Sequence, residues 1–229
     1  MSDFKPTART RIKRLPKRGH YERETVNAIL DAGLVCHVGY TIDEHPYVTA
    51  TSYWREGDRV VWHGSSASRA IRAVKQAIPV CFNVSLIDGL VLARSGFHHS
   101  INYRTVMLFG DAAPIEDPDE KLASLEAFTE RLFPGRWAEL RPPTRQELKA
   151  TTVLAMRIDE AVAKVRTGPP VDDGEDYATT RCWAGVLPLK LAAGEPVDDG
   201  RLLPGVGLPS YLKGFDLEAY GKANAAAAE

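Results

Sequence analysis

Apolar positions recur at helical spacing over residues 20–31, and Gly33 offers that helix a stop. From Leu34 the period changes. The runs 34–40, 47–55 and 59–63 are rich in β-branched and aromatic residues, and short polar turns at 43–46 and 56–58 divide them. Strand, turn, strand, turn, strand predicts an antiparallel meander joined by hairpins. Over 66–77 the spacing becomes helical again. Ala67, Ala70, Ile71, Val74 and Ile78 share one face, Arg69, Arg72 and Lys75 take others, and Pro79 ends the run. Residues 80–93 read as a long strand with a bend or bulge at Asp88-Gly89, and 102–109 as another.

A second amphipathic helix is predicted over 117–132, with an acidic start at Asp117-Pro118-Asp119-Glu120 and a stop at Pro134-Gly135. A brief helix follows at 144–150, with Thr144 and Glu147 spaced as a capping box. Strand character returns at 152–165. Beyond Thr167 the chain is loop-rich apart from 183–189, and the tail 223–229 is expected to fray. Six strands with few helices, and no strand–helix alternation, argue against a doubly wound α/β fold. A small barrel would remove the exposed edges of such a meander, so the expected class is mainly β with peripheral helices. No repeat or long linker divides residues 1–229, which read as a single domain with a basic N-terminal arm (1–19) and a loop-rich C-terminal segment (167–229).

Composition narrows the partners. With 29 basic and 30 acidic residues the net charge is −1, so no global field points to nucleic acid or membrane. The arm is a local exception: Lys5, Arg9, Arg11, Lys13, Arg14, Lys17 and Arg18 meet one acid, Asp3. It reads either as a nucleic-acid or anionic-lipid patch or as an extended segment lying over the domain or a partner subunit, its charges solvated. No apolar stretch follows its charges as in a signal peptide, and none approaches the ~20 residues needed to span a bilayer. Cys36, Cys81 and Cys182 are odd in number and widely spaced, which fits a reducing cytoplasm.

The segment Trp62-His63-Gly64-Ser65-Ser66-Ala67-Ser68-Arg69 holds the clearest chemistry. A strand ends, a glycine turns the backbone, hydroxyls follow, and a helix starts with an arginine in its first turn. Free N–H groups and the helix dipole favour an anion there. Ser65, Ser66 and Ser68 could add hydrogen bonds, and Arg69 a charge-assisted one. The same residues also fit a plain helix capped by Ser66, with the other serines as loop. Neither a Walker loop nor a Gly-x-Gly-x-x-Gly fingerprint is present.

This order of elements resembles the pyridoxamine 5′-phosphate oxidase-like, FMN-binding split barrels, an antiparallel fold of Greek-key type. It is most similar to their flavin-nucleotide-binding branch, which includes nitroimidazole-resistance-type reductases. The resemblance spans about residues 7–190 and is most specific at Phe97-His98-His99-Ser100-Ile101-Asn102-Tyr103-Arg104-Thr105-Val106, at Lys164-Val165-Arg166-Thr167-Gly168-Pro169-Pro170, and at Trp183-Ala184-Gly185-Val186-Leu187-Pro188. It implies a homodimer with FMN at the subunit interface, its phosphate at His63, Gly64, Ser65, Ser66, Ser68 and Arg69. The ring would lie against the strand bearing Val48, Thr49, Ala50 and Thr51, with Trp183 reaching it from the neighbouring chain. FAD, haem or a deazaflavin are alternative cofactors in the same barrel.

Three further side chains are candidates for catalysis. His98 and His99 are adjacent, so in extended chain they point to opposite faces and cannot share a metal. No metal site is expected. One of them could meet the flavin or substrate, or serve as a haem ligand. Arg104 could place charge near a reduced flavin, or pair with a carboxylate. The run Asp172-Asp173-Gly174-Glu175-Asp176 reads as a surface acidic loop, because an EF-hand count from Asp172 ends on Trp183. No histidine follows His99, so the Arg-x-His that the oxidase carries near its C-terminus has no counterpart. The expected function is a flavin-dependent oxidoreductase on an unidentified small molecule; the alternative is a non-catalytic flavin or haem module.

Overall fold

The computed structural model describes residues 2–217; the predicted fraying tail lies outside them. Among the described residues nine strands form, β1 (Gly19–His20), β2 (Val35–Ile42), β3 (His45–Glu56), β4 (Arg59–Ser65), β5 (Pro79–Leu92), β6 (Ser100–Pro114), β7 (Thr151–Arg157), β8 (Glu160–Arg166) and β9 (Gly185–Pro188). The helices are α1 (Arg23–Ala32), α2 (Arg69–Val74), α3 (Pro118–Leu132), α4 (Arg145–Ala150) and α5 (Gly174–Thr179).

The predicted meander is present. β2 and β3 meet in a two-residue turn, with Asp43 at φ 48° and Glu44 at φ 64°. Positive φ at both central residues gives the turn the twist that flanking strands require. β3 then changes partner: 45–52 pair with β2 and 53–56 with β4. β6 does the same, pairing with β5 along 100–111 and with β7 at 112–114. Pairings β3–β2–β5–β6–β7–β4 and back to β3 close a six-stranded antiparallel barrel. β8 and β1 extend it from β6, and β9 from β5. The class is the expected split barrel.

Several local expectations change. The strand predicted over 152–165 is two, because Ile158 and Asp159 turn the chain from β7 on one face to β8 on another. A continuous apolar run conceals such a corner. The predicted bulge is real: register shifts between Ile87 and Gly89. The helix predicted over 66–77 shrinks to α2, and α5 forms where loop was expected.

Inside the barrel, alternate residues of each strand pack together, among them Val38, Tyr53, Trp62, Phe82, Val84, Val106, Leu108 and Leu154. Truncating one of these to alanine costs about 2–5 kcal/mol. α1 seals one end with Val26, Ile29 and Leu30, and Tyr53 donates to Leu30 O at 2.5 Å. A buried bidentate pair, Arg55 to Asp31 at 2.9 and 2.6 Å, ties α1 to the β3–β4 hairpin. A second cluster, Trp54, Val61, Ile115 and Val153, lies on the outer face of β3, β4 and β7. α3 covers it with Leu125 and Phe128. No helix among the described residues is long and apolar enough to cross a membrane.

Candidate functional site

The bend after β4 takes its shape from the serines. Ser68 caps α2, its Oγ accepting from Ile71 N at 3.2 Å, so the cap is Ser68 and not Ser66. Ser66 turns toward β7: its amide donates to Ala150 O at 2.8 Å, and its hydroxyl lies 2.8 Å from Thr152 Oγ1. Ser65 Oγ accepts from Ala67 N at 3.3 Å. Gly64 does not turn the chain. It sits inside β4 opposite Thr152, and a Cβ there would stand 3.0 Å from Ile71 Cγ1. Its missing side chain lets α2 lie close against the strand.

The charge comes from two arginines. Arg69 is exposed, with its guanidinium 4.3 Å from the Tyr47 ring centroid. That stacking holds α2 over the first half of β3. Arg72, one turn along, donates from Nη2 to Ala67 O at 2.5 Å. Both line an open groove of about 340 Å³ with Ile42, Ala67, Ala73 and Gln76. Neither has a carboxylate partner among the described residues. The sequence reading named Arg69 for the phosphate and left Arg72 out. Their spacing of three places both on one side of a helix, which is the signal that could have joined them.

Beside the groove, β3 presents Val48, 70% exposed, and Ala50 on its outer face. Thr49 turns inward, its Oγ1 3.1 Å from Tyr40 Oη, and Thr51 O accepts from Cys36 Sγ. The outer face continues through His37, opposite Ala50, to Asn83, opposite His37. Asn83, Ser85 and Thr105 form a hydrogen-bonded cluster on it, with contacts of 2.8–3.0 Å.

The remaining candidates are dispersed. His63 turns to the α3 side of β4, its ring 5.2 Å from Phe128 and 5.9 Å from Trp54. Nδ1 is enclosed without a partner among the described residues, and burial pulls the imidazole pKa below its ordinary value. His98 and His99 stand at the 3-10 turn Gly96–His98 and not in a strand; His98 Nε2 lies 3.3 Å from Asp173 and His99 Nδ1 3.0 Å from Ser95 O. Ligand atoms of His98, Asp173 and Asp176 lie within 4.8 Å of one another on the surface. Arg104 is committed to Asp88 in a bidentate pair at 3.0 and 2.7 Å, whose hydrogen bonds raise its pKa. Asp172 departs from the surface-loop reading: its side chain is buried, accepting from Arg94 N at 2.9 Å and Nη1 at 3.0 Å. Trp183 is 66% exposed, folded back over Gly185.

Comparison with known proteins sets this geometry in context. A family model described as pyridoxamine 5′-phosphate oxidase matches residues 22–165. The structure is similar to that of the flavocytochrome Anf3 from Azotobacter vinelandii, at 47% identity and TM-score 0.88, covering 93% of this chain and 98% of that one. It is also similar to the FAD and heme binding protein from Mycobacterium smegmatis, at 38% identity and TM-score 0.82, covering 87% and 97%. A candidate 5-nitroimidazole antibiotic resistance protein from Bacteroides thetaiotaomicron shares the fold, at 21% identity, TM-score 0.52 and coverage of 64% and 86%. No curated protein matches. With a match over more than half its length and a barrel of the same topology, the chain belongs to the pyridoxamine 5′-phosphate oxidase family.

Proposed function

We propose that this protein binds a flavin by its phosphate in the Arg69–Arg72 groove and works as a flavin-dependent oxidoreductase with haem as a second redox group. The observation that carries the reading is that groove, two guanidiniums free of carboxylates, in a chain 47% identical to a flavocytochrome. A phosphate there would accept charge-assisted hydrogen bonds from both arginines. The flavin, when bound, supplies the electron chemistry, and the protein supplies position and exclusion of water. The sequence reading favours FMN. The neighbour named for FAD favours the dinucleotide, and the riboflavin-proximal phosphate is common to both.

For the haem, His63 is the better ligand. Its ring makes no hydrogen bond among the described residues, burial lowers its pKa and so favours the neutral form, and aromatic rings surround it. His98 and His99 already have partners. The reading includes a homodimer, one domain per chain, in the cytoplasm. Exposed Val48, Val35 and Trp183 support the dimer, because nothing among the described residues covers them.

Absorbance of the purified protein and mass spectrometry of released ligand test the cofactors. Arg69→Glu should lose most of the flavin; full flavin stoichiometry in that variant would place the phosphate elsewhere. His63→Ala should abolish the Soret band, and His98→Ala and His99→Ala should keep it. A protein purified without haem absorbance in haem-supplied cells overturns the haem half alone.

A further inference from the structure

The Lys164–Pro170 stretch, so specific in sequence, has no part in the groove. Arg166 ends β8 and is 7% exposed. Its acceptors are all neutral. Nη1 donates to Asn102 Oδ1, and to Gly168 O at 3.3 Å; Nη2 donates to Pro169 O at 3.3 Å. Nε is enclosed and has no partner among the described residues. Asn102, also 7% exposed, is fixed by its own bond from Nδ2 to Gly168 O at 3.1 Å.

A buried cation ordinarily takes a carboxylate. Arg166 has none among the described residues, and a second cation stands beside it. β1 adds to the edge of β8, with Gly19 opposite Lys164, and this carries the 3-10 turn Pro16–Arg18 to the end of β8 where Arg166 lies. Burial, then repulsion from Arg18, lower the Arg166 pKa. The Arg18 guanidinium has no partner among the described residues. Nη2 of Arg166 carries two N–H groups and makes one long contact, so one hydrogen remains to donate.

We propose that Arg166 and Arg18 form a binding site for a small oxyanion, a phosphoryl or carboxylate group. It is separate from the groove, with β6 and β7 between β8 and β4 in the sheet. Arg166, held by Asn102, forms the floor, and Arg18 the mouth. An oxyanion between them accepts from both guanidiniums and supplies the charge the buried arginine lacks. Lys13, Arg14 and Lys17 precede Arg18 on the exposed arm and draw anions toward it.

The test is calorimetric titration of the purified protein, with its cofactors bound, at low ionic strength. Inorganic phosphate and acetate are the probes in separate arms. Saturable binding of at least one is expected, and the tighter anion names the ligand class. Arg18→Gln, on the surface, should weaken it about tenfold or more. Arg166→Lys keeps charge but loses the planar fork, and should weaken it too. Absence of saturable binding with either anion, or binding that Arg18→Gln leaves intact, overturns the proposal. The second outcome covers phosphate lodging in the flavin groove.

Discussion

Glu56 shows how one side chain gathers a neighbourhood. Burial alone would raise its pKa, but hydrogen bonds from Ser124 Oγ at 2.5 Å, Trp54 Nε1 at 2.6 Å and Arg59 at 2.6 and 3.0 Å outweigh that, and the net shift is downward. A folded pKa below the unfolded one means the contribution is complete above the unfolded value. It is lost as pH falls through the folded value. Glu56→Gln should therefore be less stable near neutrality and show a shallower acid limb in denaturation midpoint against pH; superimposable acid limbs would refute this. In the sequence Glu56 is a turn residue beside Gly57. Its partners at 54 and 59 are local, but Ser124 and the further Arg59 contact at Glu120 come from α3, and spacing along the chain does not encode them. The candidate site divides in the same way. Arg69 was legible because a first-turn arginine after serines has a local meaning. The environments of His63 and Arg166 are made by Phe128 and Asn102, far away in sequence.

At the scale of elements, α3 depends on its start. Asp117 Oδ1 accepts from Asp119 N at 3.0 Å and Glu120 N at 2.8 Å, satisfying two donors that the helix cannot. Asp117→Ala should cost about 1 kcal/mol in urea denaturation, and Asp117→Asn most of that less. Equal losses in the two variants would mean that the cap bond does not matter. Because α3 roofs Trp54, Val61 and Val153, fraying there exposes the second cluster and the His63 ring. This helix and the Thr144–Glu147 box of α4 were legible because caps are local in sequence. The β7–β8 corner was not. Both halves are apolar, and the difference lies in which distant strand each one joins.

For the whole molecule, the outer face of β3 and β2 carries the proposed dimer contact. Val48→Glu places a charge at its most exposed apolar point and should shift sedimentation from dimer to monomer, with flavin lost in parallel. A monomer that retains flavin would place the site within one protomer. The barrel itself was legible, since alternating strands joined by short turns leave few other ways to remove edges.

Periodicity and local turn chemistry were enough to specify the strands of the meander, the starts of α3 and α4, the bulge near Asp88 and the cationic bend, because each depends on neighbours a few residues apart. Tertiary structure alone decided that Ser66 serves β7, that Arg104 is taken by Asp88, and that Arg166 lies buried beside Arg18. Those outcomes depend on where distant strands bring charges and hydrogen-bond donors in space, and electrostatics acts through space.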